Sequence, residues 1–106
     1  MFAVALTGQD PLRCIHCHKI NLHHDRVEIW SRDSESSSSG LHVDTEHGDI
    51  TIDRSMLRNP SPRRGGILIE FSCENCRGST ELAIYQHKGC TYLELRPVPA
   101  YKFADG

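Results

Sequence analysis

The sequence predicts a mainly β fold, a small antiparallel β domain closed at one end by four cysteines. Two observations carry this. Short segments alternate apolar and polar residues between Gly- and Pro-rich breaks, the pattern of half-buried strands. Two Cys-x-x-Cys pairs, Cys14/Cys17 and Cys73/Cys76, lie in turn-rich surroundings. At 106 residues and 38% hydrophobic composition, the chain makes one small domain with a modest core. Residues 1–96 are assigned to that domain and residues 97–106 to a C-terminal tail.

The elements follow in order. Residues 1–13 are a short apolar segment broken at Asp10-Pro11, and the first cysteine pair comes next. Val27, Ile29 and Ser31 alternate with Glu28, Trp30 and Arg32, which predicts a strand. Residues 31–40 (SRDSESSSSG) have nothing to bury and are expected to form a mobile loop. Leu41–Thr45 and Ile50–Asp53 alternate around Glu46-His47-Gly48-Asp49, which predicts an inserted β-hairpin. Ser55–Leu57 suit the start of a short helical turn. Asn59–Gly66, with two prolines and two glycines, forbids regular structure. Ile67, Ile69 and Phe71 then mark a strand leading into Cys73. Two more strands are marked by Leu82 and Ile84 and by Leu93 and Leu95, joined by a turn at His87-Lys88-Gly89. Opposite the apolar positions stand Glu70, Glu81 and Glu94, which predicts a sheet with one wet side.

The cysteine pairs carry the strongest chemical signal. A two-residue gap places two thiolates on one turn, and two such turns supply the four sulfurs that a tetrahedral Zn²⁺ takes. The expected ligands are Cys14, Cys17, Cys73 and Cys76, holding one structural zinc. Five cysteines, an odd number, suit a reducing compartment with metal-bound thiolates better than a disulfide framework. Redox chemistry of the thioredoxin kind needs a helix behind its cysteine pair, and the residues after Cys17 and Cys76 are turn-rich and then β. Cys90, by strand parity, faces away from Leu93 and Leu95 and reads as a neutral thiol in or beside the sheet.

This arrangement resembles the zinc-ribbon proteins. The resemblance rests on the two knuckles and on Cys73-Glu74-Asn75-Cys76-Arg77-Gly78 running into a hairpin. It departs from the ribbon pattern in lacking a proline after the first cysteine and a glycine directly after the second of each pair. The 55 residues between the pairs also exceed what a compact ribbon needs, and the inserted hairpin accounts for them. The resemblance implies a metal and a β fold, and it transfers neither partner nor activity.

The formal charge of −2 gives no general attraction to nucleic acid or an anionic membrane. The charge is uneven: residues 1–53 carry −5 and residues 54–106 carry +3. Arg54, Arg58, Arg63 and Arg64 form the one basic cluster, a candidate for phosphate or partner contacts, with Arg77 beside it if the second knuckle folds alongside. The seven histidines read as surface imidazoles on loops, with the His16 ring pointing outward from its knuckle. No Walker loop, dinucleotide fingerprint or His-Glu-x-x-His is present. No segment has the length of a membrane span, and the first six residues lack the basic leader of a signal peptide, so a soluble cytoplasmic protein is expected. The expected function is a non-enzymatic zinc-binding module whose closed Cys₄ site supports a surface for a protein partner. The alternative is a nucleic-acid-binding ribbon that uses the arginine loop 54–64.

Overall fold

The computed structural model describes residues 2–3 and 11–98, without the side chains of Phe2, Ala3 and His47. The apolar segment before the first knuckle, beyond Phe2–Ala3, and the tail after Val98 lie outside the described residues. The fold is mainly β. Six antiparallel strands form one sheet: β2 (Leu22–Arg32), β3 (Ser39–Asp44), β4 (Thr51–Ser55), β5 (Gly66–Cys73), β6 (Ser79–His87) and β7 (Cys90–Pro97). A two-residue strand, β1 (Phe2–Ala3), adds to one edge, giving the order β1-β7-β6-β5-β2-β3-β4. Among the described residues the helical content is one 3₁₀ turn, Glu46–Gly48, and no helix is long and apolar enough to cross a membrane.

The predicted strands are all present and longer than their apolar cores. The inserted hairpin is β3–β4, with the 3₁₀ turn at its tip. Lys88 and Gly89 both take positive φ, 51° and 80°, which makes the two-residue β6–β7 turn that matches strand twist. Two expectations change. Ser31 and Arg32 pair with Leu41 and Gly40, so the serine-rich loop contracts to residues 33–38. It is tied by Arg32 Nη1 donating to the Ser37 carbonyl (2.8 Å) and by Arg54 pairing with Asp33 (2.6 Å). Ser55–Leu57 forms no helical turn, and β4 ends there.

The larger correction concerns the two faces of the sheet. Register carries one apolar row across six strands, Ile52–Val43–Ile29–Ile67–Ile84–Leu93. A second row runs Val27–Ile69–Leu82–Leu95. On the opposite face the matching rows hold Trp30, His42, Glu28, Leu68, Ala83, Glu81 and Arg96. This charge-bearing face is the covered one. Trp30, Leu68 and Ala83 are its buried core, with Met56 and Tyr85 packed against them. Glu28 and Glu81 are buried beside that core at 1% and 2% exposure. On the apolar face Ile29, Leu41 and Ile52 stand 43%, 44% and 64% exposed, while Leu82 and Leu95 near the cysteine end are buried. Alternation fixed which residues share a face; it could not say which face is wet.

The cover is the segment 56–65, the Pro/Gly stretch after β4, which lies back over the sheet as a strap. A Cβ on Gly66 would sit 2.7 Å from Asn59 Oδ1 and from Pro60, so only glycine admits the strap so close. Ser61, 1% exposed, locks it down. Its hydroxyl donates to the Gln86 carbonyl (2.6 Å) and accepts from the Arg64 N–H (2.9 Å).

Candidate metal centre

The first knuckle is the loop ahead of β2, and the second joins β5 to β6. They meet because Leu22, at the start of β2, pairs in register with Cys73 at the end of β5. The two turns are built alike. Cys14 N–H donates to the Lys19 carbonyl (2.9 Å) and Cys73 N–H to the Gly78 carbonyl (3.3 Å). His18 and Arg77, each directly after the second cysteine of its pair, take φ of 66° and 61°. These are the positions where the ribbon pattern has glycine. The knuckle geometry is therefore kept at the cost of two side chains in the left-handed region, on the order of 1 kcal/mol each.

The four predicted ligands come together. Sγ of Cys14 and Cys76 are 3.5 Å apart, and Sγ of Cys17 and Cys73 are 3.6 Å apart. All four sulfurs lie within 4.8 Å of one another. All are free thiols rather than disulfides. Bonds of 2.3 Å to a tetrahedral zinc set the sulfur–sulfur edge at about 3.8 Å, so the cluster has the size of that polyhedron. Backbone N–H groups point at the sulfurs: His16 to Cys14, Asn75 to Cys73 and Gly78 to Cys76, each at 3.4 Å.

The electrostatics fit an ion too. Burial pushes the Cys14 thiol up, but N–H groups of Cys17 and His16 and the side chains of Cys76 and Thr80 outweigh it and bring it from 9.0 to about 6. The Asn75 N–H, against burial, lowers Cys73 as well. The Gly78 N–H pulls on Cys76, yet burial and the three neighbouring sulfurs drive it up to about 12. Four sulfurs this close cannot all ionise without a cation among them, and a divalent ion would supply that charge.

Two residues around the cluster were not singled out in the sequence for this role. Thr80, fully buried, accepts the Ile15 N–H at its hydroxyl (3.1 Å), which in turn points at Cys14 Sγ (3.8 Å). Its place directly after the second knuckle was the one available signal. The His16 ring lies against the second knuckle. Nε2 donates to the Ser79 carbonyl (2.9 Å), and a Cβ on Gly78 would strike the ring at 2.4 Å. The ring thus ties one knuckle to the other. Cys90 is exposed and pairs with His87 at the opposite end of β6, well away from the four sulfurs.

The arginines do not gather into one basic patch. Arg58 turns inward, with Nη1 2.7 Å from Glu28 Oε1 and Nη2 3.3 Å from Glu81 Oε1. Arg54 pairs with Asp33 (2.6 Å) and Arg64 with Glu35 (2.9 Å). Arg63 and Arg64 line a shallow groove with Glu35, His87 and Lys88 at the far end of the sheet. Arg77 sits at the cysteine end, roughly 25 Å away along β6 at 3.3 Å per residue.

Among the histidines, His42 departs from the expected surface role. It is buried on β3 and stacks on Trp30 with centroids 4.9 Å apart and planes 6° from parallel. Its ring nitrogens meet Glu28 Oε2 (3.0 Å) and Asp53 Oδ1 (2.8 Å). Glu28, His42 and Asp44 also lie close enough to hold an ion. Here, however, cations are built in: Arg26 pairs with Asp44 (2.6 Å) and Arg58 with Glu28. Glu28 Oε1 has this charge partner without a hydrogen bond of good angle. The group is an ion-pair network rather than an open metal site.

Comparison with protein-family models, curated proteins and solved structures finds no match.

Proposed function

We propose that this chain is a non-enzymatic, zinc-stabilised module. Cys14, Cys17, Cys73 and Cys76 hold one Zn²⁺, in the manner of the zinc-ribbon proteins, and the sheet offers an interaction surface to a protein partner. The observation that carries the reading is the convergence of four sulfurs at tetrahedral spacing in two knuckles of the same build. Four thiolates complete the shell, so the ion keeps no position for substrate or water, and its role is structural. It joins the start of β2 to the β5–β6 connection in a chain with little core to spare.

The alternative, a nucleic-acid-binding ribbon, draws little support from the arginine loop. Arg58 is occupied at the centre of the covered face, and Arg54 and Arg64 face carboxylates. Phosphate contacts release counterions and make binding fall steeply with salt. Titration of the zinc-loaded protein with single- and double-stranded nucleic acid at physiological salt separates the readings. Absent or weak binding is expected. Submicromolar affinity that is lost on replacing Arg63 and Arg64 by Ala would favour the nucleic-acid ribbon.

A further inference from the structure

We infer that the groove at the end of the sheet opposite the cysteines binds a phosphate monoester dianion. This goes beyond the proposed function and depends neither on the ion at the cysteines nor on a protein partner of the sheet.

Most cations of the described residues are answered from within. Arg26, Arg54, Arg58 and Arg96 pair with carboxylates. Arg32 gives its donors to the carbonyls of Ser37, Ser61 and Arg64. Arg13, Lys19 and Arg77 stand beside the knuckle cysteines in the chain. That leaves Arg63 and Lys88, both exposed and, among the described residues, with no carboxylate against either. They come from separate elements, the strap and the β6–β7 turn, and line one groove of about 360 Å³ with Arg64, Gln86, His87 and Glu35. Three cations face one carboxylate there, an excess of two positive charges in a chain whose formal charge is −2. A concave site lined by one sign of charge concentrates the opposite ion.

The backbone that presents the arginines is fixed. The Arg64 N–H donates to Ser61 Oγ (2.9 Å), and the Arg64 carbonyl accepts from Asn59 Nδ2 (2.8 Å) and Arg32 Nε (3.4 Å). The Gly65 carbonyl accepts the Gln86 N–H (3.4 Å), which ties the strap to β6 just before the turn that carries Lys88. A loop already ordered loses little freedom when a ligand arrives.

Charge selects the ligand. The groove already holds one carboxylate: Glu35 Oε1 meets Arg64 Nη2 at 2.9 Å, in a pair exposed on both sides and therefore weak. That pair still leaves Arg63 and Lys88 unanswered. A phosphate monoester carries about −1.5 to −2 near neutral pH and offers three acceptor oxygens, which matches both the charge excess and the number of cations. Arginine meets such oxygens with a planar fork and lysine with a point charge. A nucleic-acid strand carries one charge per phosphate and needs cations repeated along its path, and Arg54 and Arg58 are already taken up.

NMR titration of the whole, metal-loaded, ¹⁵N-labelled chain with inorganic phosphate, glycerol phosphate and acetate at low ionic strength tests this. Both phosphates should give saturable shifts at the amides of residues 63–66 and 86–89, and acetate should bind more weakly. Arg63→Ala should weaken phosphate binding about tenfold, the size of one charge-assisted hydrogen bond. Lys88→Asn, which keeps a residue suited to the positive φ of the turn, should weaken it in the same direction. Glu35→Gln should act the opposite way and tighten binding, because it releases Arg64 and removes the one negative charge of the groove. Lys19→Ala, beside the first knuckle, should change nothing. Tighter binding of glycerol phosphate identifies a small organic phosphate as the ligand and equal affinities the free ion; both support the site. Shifts that spread over the surface without saturating, acetate binding as tightly as phosphate, or phosphate binding indifferent to Arg63→Ala and Lys88→Asn would overturn it.

Discussion

Two clusters of ionisable side chains hold this molecule together, and they solve the same electrostatic problem in opposite ways. At one end of the sheet, four thiols converge with no cation among the converging groups. Under the strap, Glu28, Asp44, Glu70 and Glu81 converge too, but Arg26, Arg58 and Arg96 are threaded between them. Arg26 shows the coupling: its hydrogen bond to Asp44 raises its pKa, and the same bond holds the Asp44 carboxyl below its ordinary 3.8. Donors close enough to hold an ion are therefore not enough to identify a metal site. Glu28, His42 and Asp44 meet that distance condition and supply their own counter-charges; the cysteines meet it and do not. The four sulfurs are compatible with an ion from outside, whereas the carboxylates are already paired.

The largest test of this contrast is removal of one sulfur. Cys73→Ser leaves three ligands around an ion that contributes about 10–16 kcal/mol to folding in small zinc domains. That is as much as a domain of this size has in total, so loss of the cooperative thermal transition is expected. A folded variant would show that the strap network carries the domain alone.

Breaking the internal network should cost less. Arg58→Ala leaves Glu28 and Glu81 buried with fewer positive partners, which for a buried pair costs about 3–5 kcal/mol. Arg96 still reaches Glu81 at 2.9 Å, which places the loss at the low end. Denaturant titration checks it. An Arg58→Ala variant as stable as the parent would reduce the network to decoration.

Acid should find the two regions at different pH. Cys14, Cys73 and Asp44 have a depressed folded pKa, so the contribution of each is full above its ordinary value and is lost as pH falls through the folded one. For Cys14 that fall is from 9.0 through about 6. For Asp44 it begins only below 3.8. The cysteine end is protonated first, and because loss of the metal is expected to unfold the domain, the emission of Trp30, which stacks on His42 inside the network, should change together with metal release, below about pH 6 and before Asp44 titrates. Trp30 emission that holds until below 3.8 would mean that the network stands without the metal.

The smallest expected effect is a gain. Arg77→Gly removes a side chain from a backbone at φ 61° and should stabilise the metal-bound protein by about 1 kcal/mol. No change in melting temperature would mean that the Arg77 side chain offsets its strain by contacts.

How much of this could be read from the chain follows from the range of each signal. The cysteine pairs are local, two residues apart, and the sequence announces them. Strands and turns are local too, and Lys88-Gly89 and the β3–β4 hairpin lie where the pattern puts them. The strap network is not local. Glu28, His42, Arg58 and Glu81 meet only through strand register and through a Pro/Gly segment whose composition signals irregularity without direction. That is why Arg58 looked like a surface cation and His42 like a surface imidazole. The alternation of Ile67–Phe71 and Leu82–Ile84 fixes parity, yet the wet side depends on where the strap lies.

The contrast between the two regions predicts that the cysteines hold an ion and the carboxylate network holds none. Native mass spectrometry of the intact protein, with elemental analysis, measures this directly. One zinc per chain is expected in the parent, full zinc in His42→Ala, and none in a Cys14→Ser, Cys73→Ser double variant. Folded protein with no stoichiometric metal, or metal that disappears with His42 and survives loss of the cysteines, would contradict it.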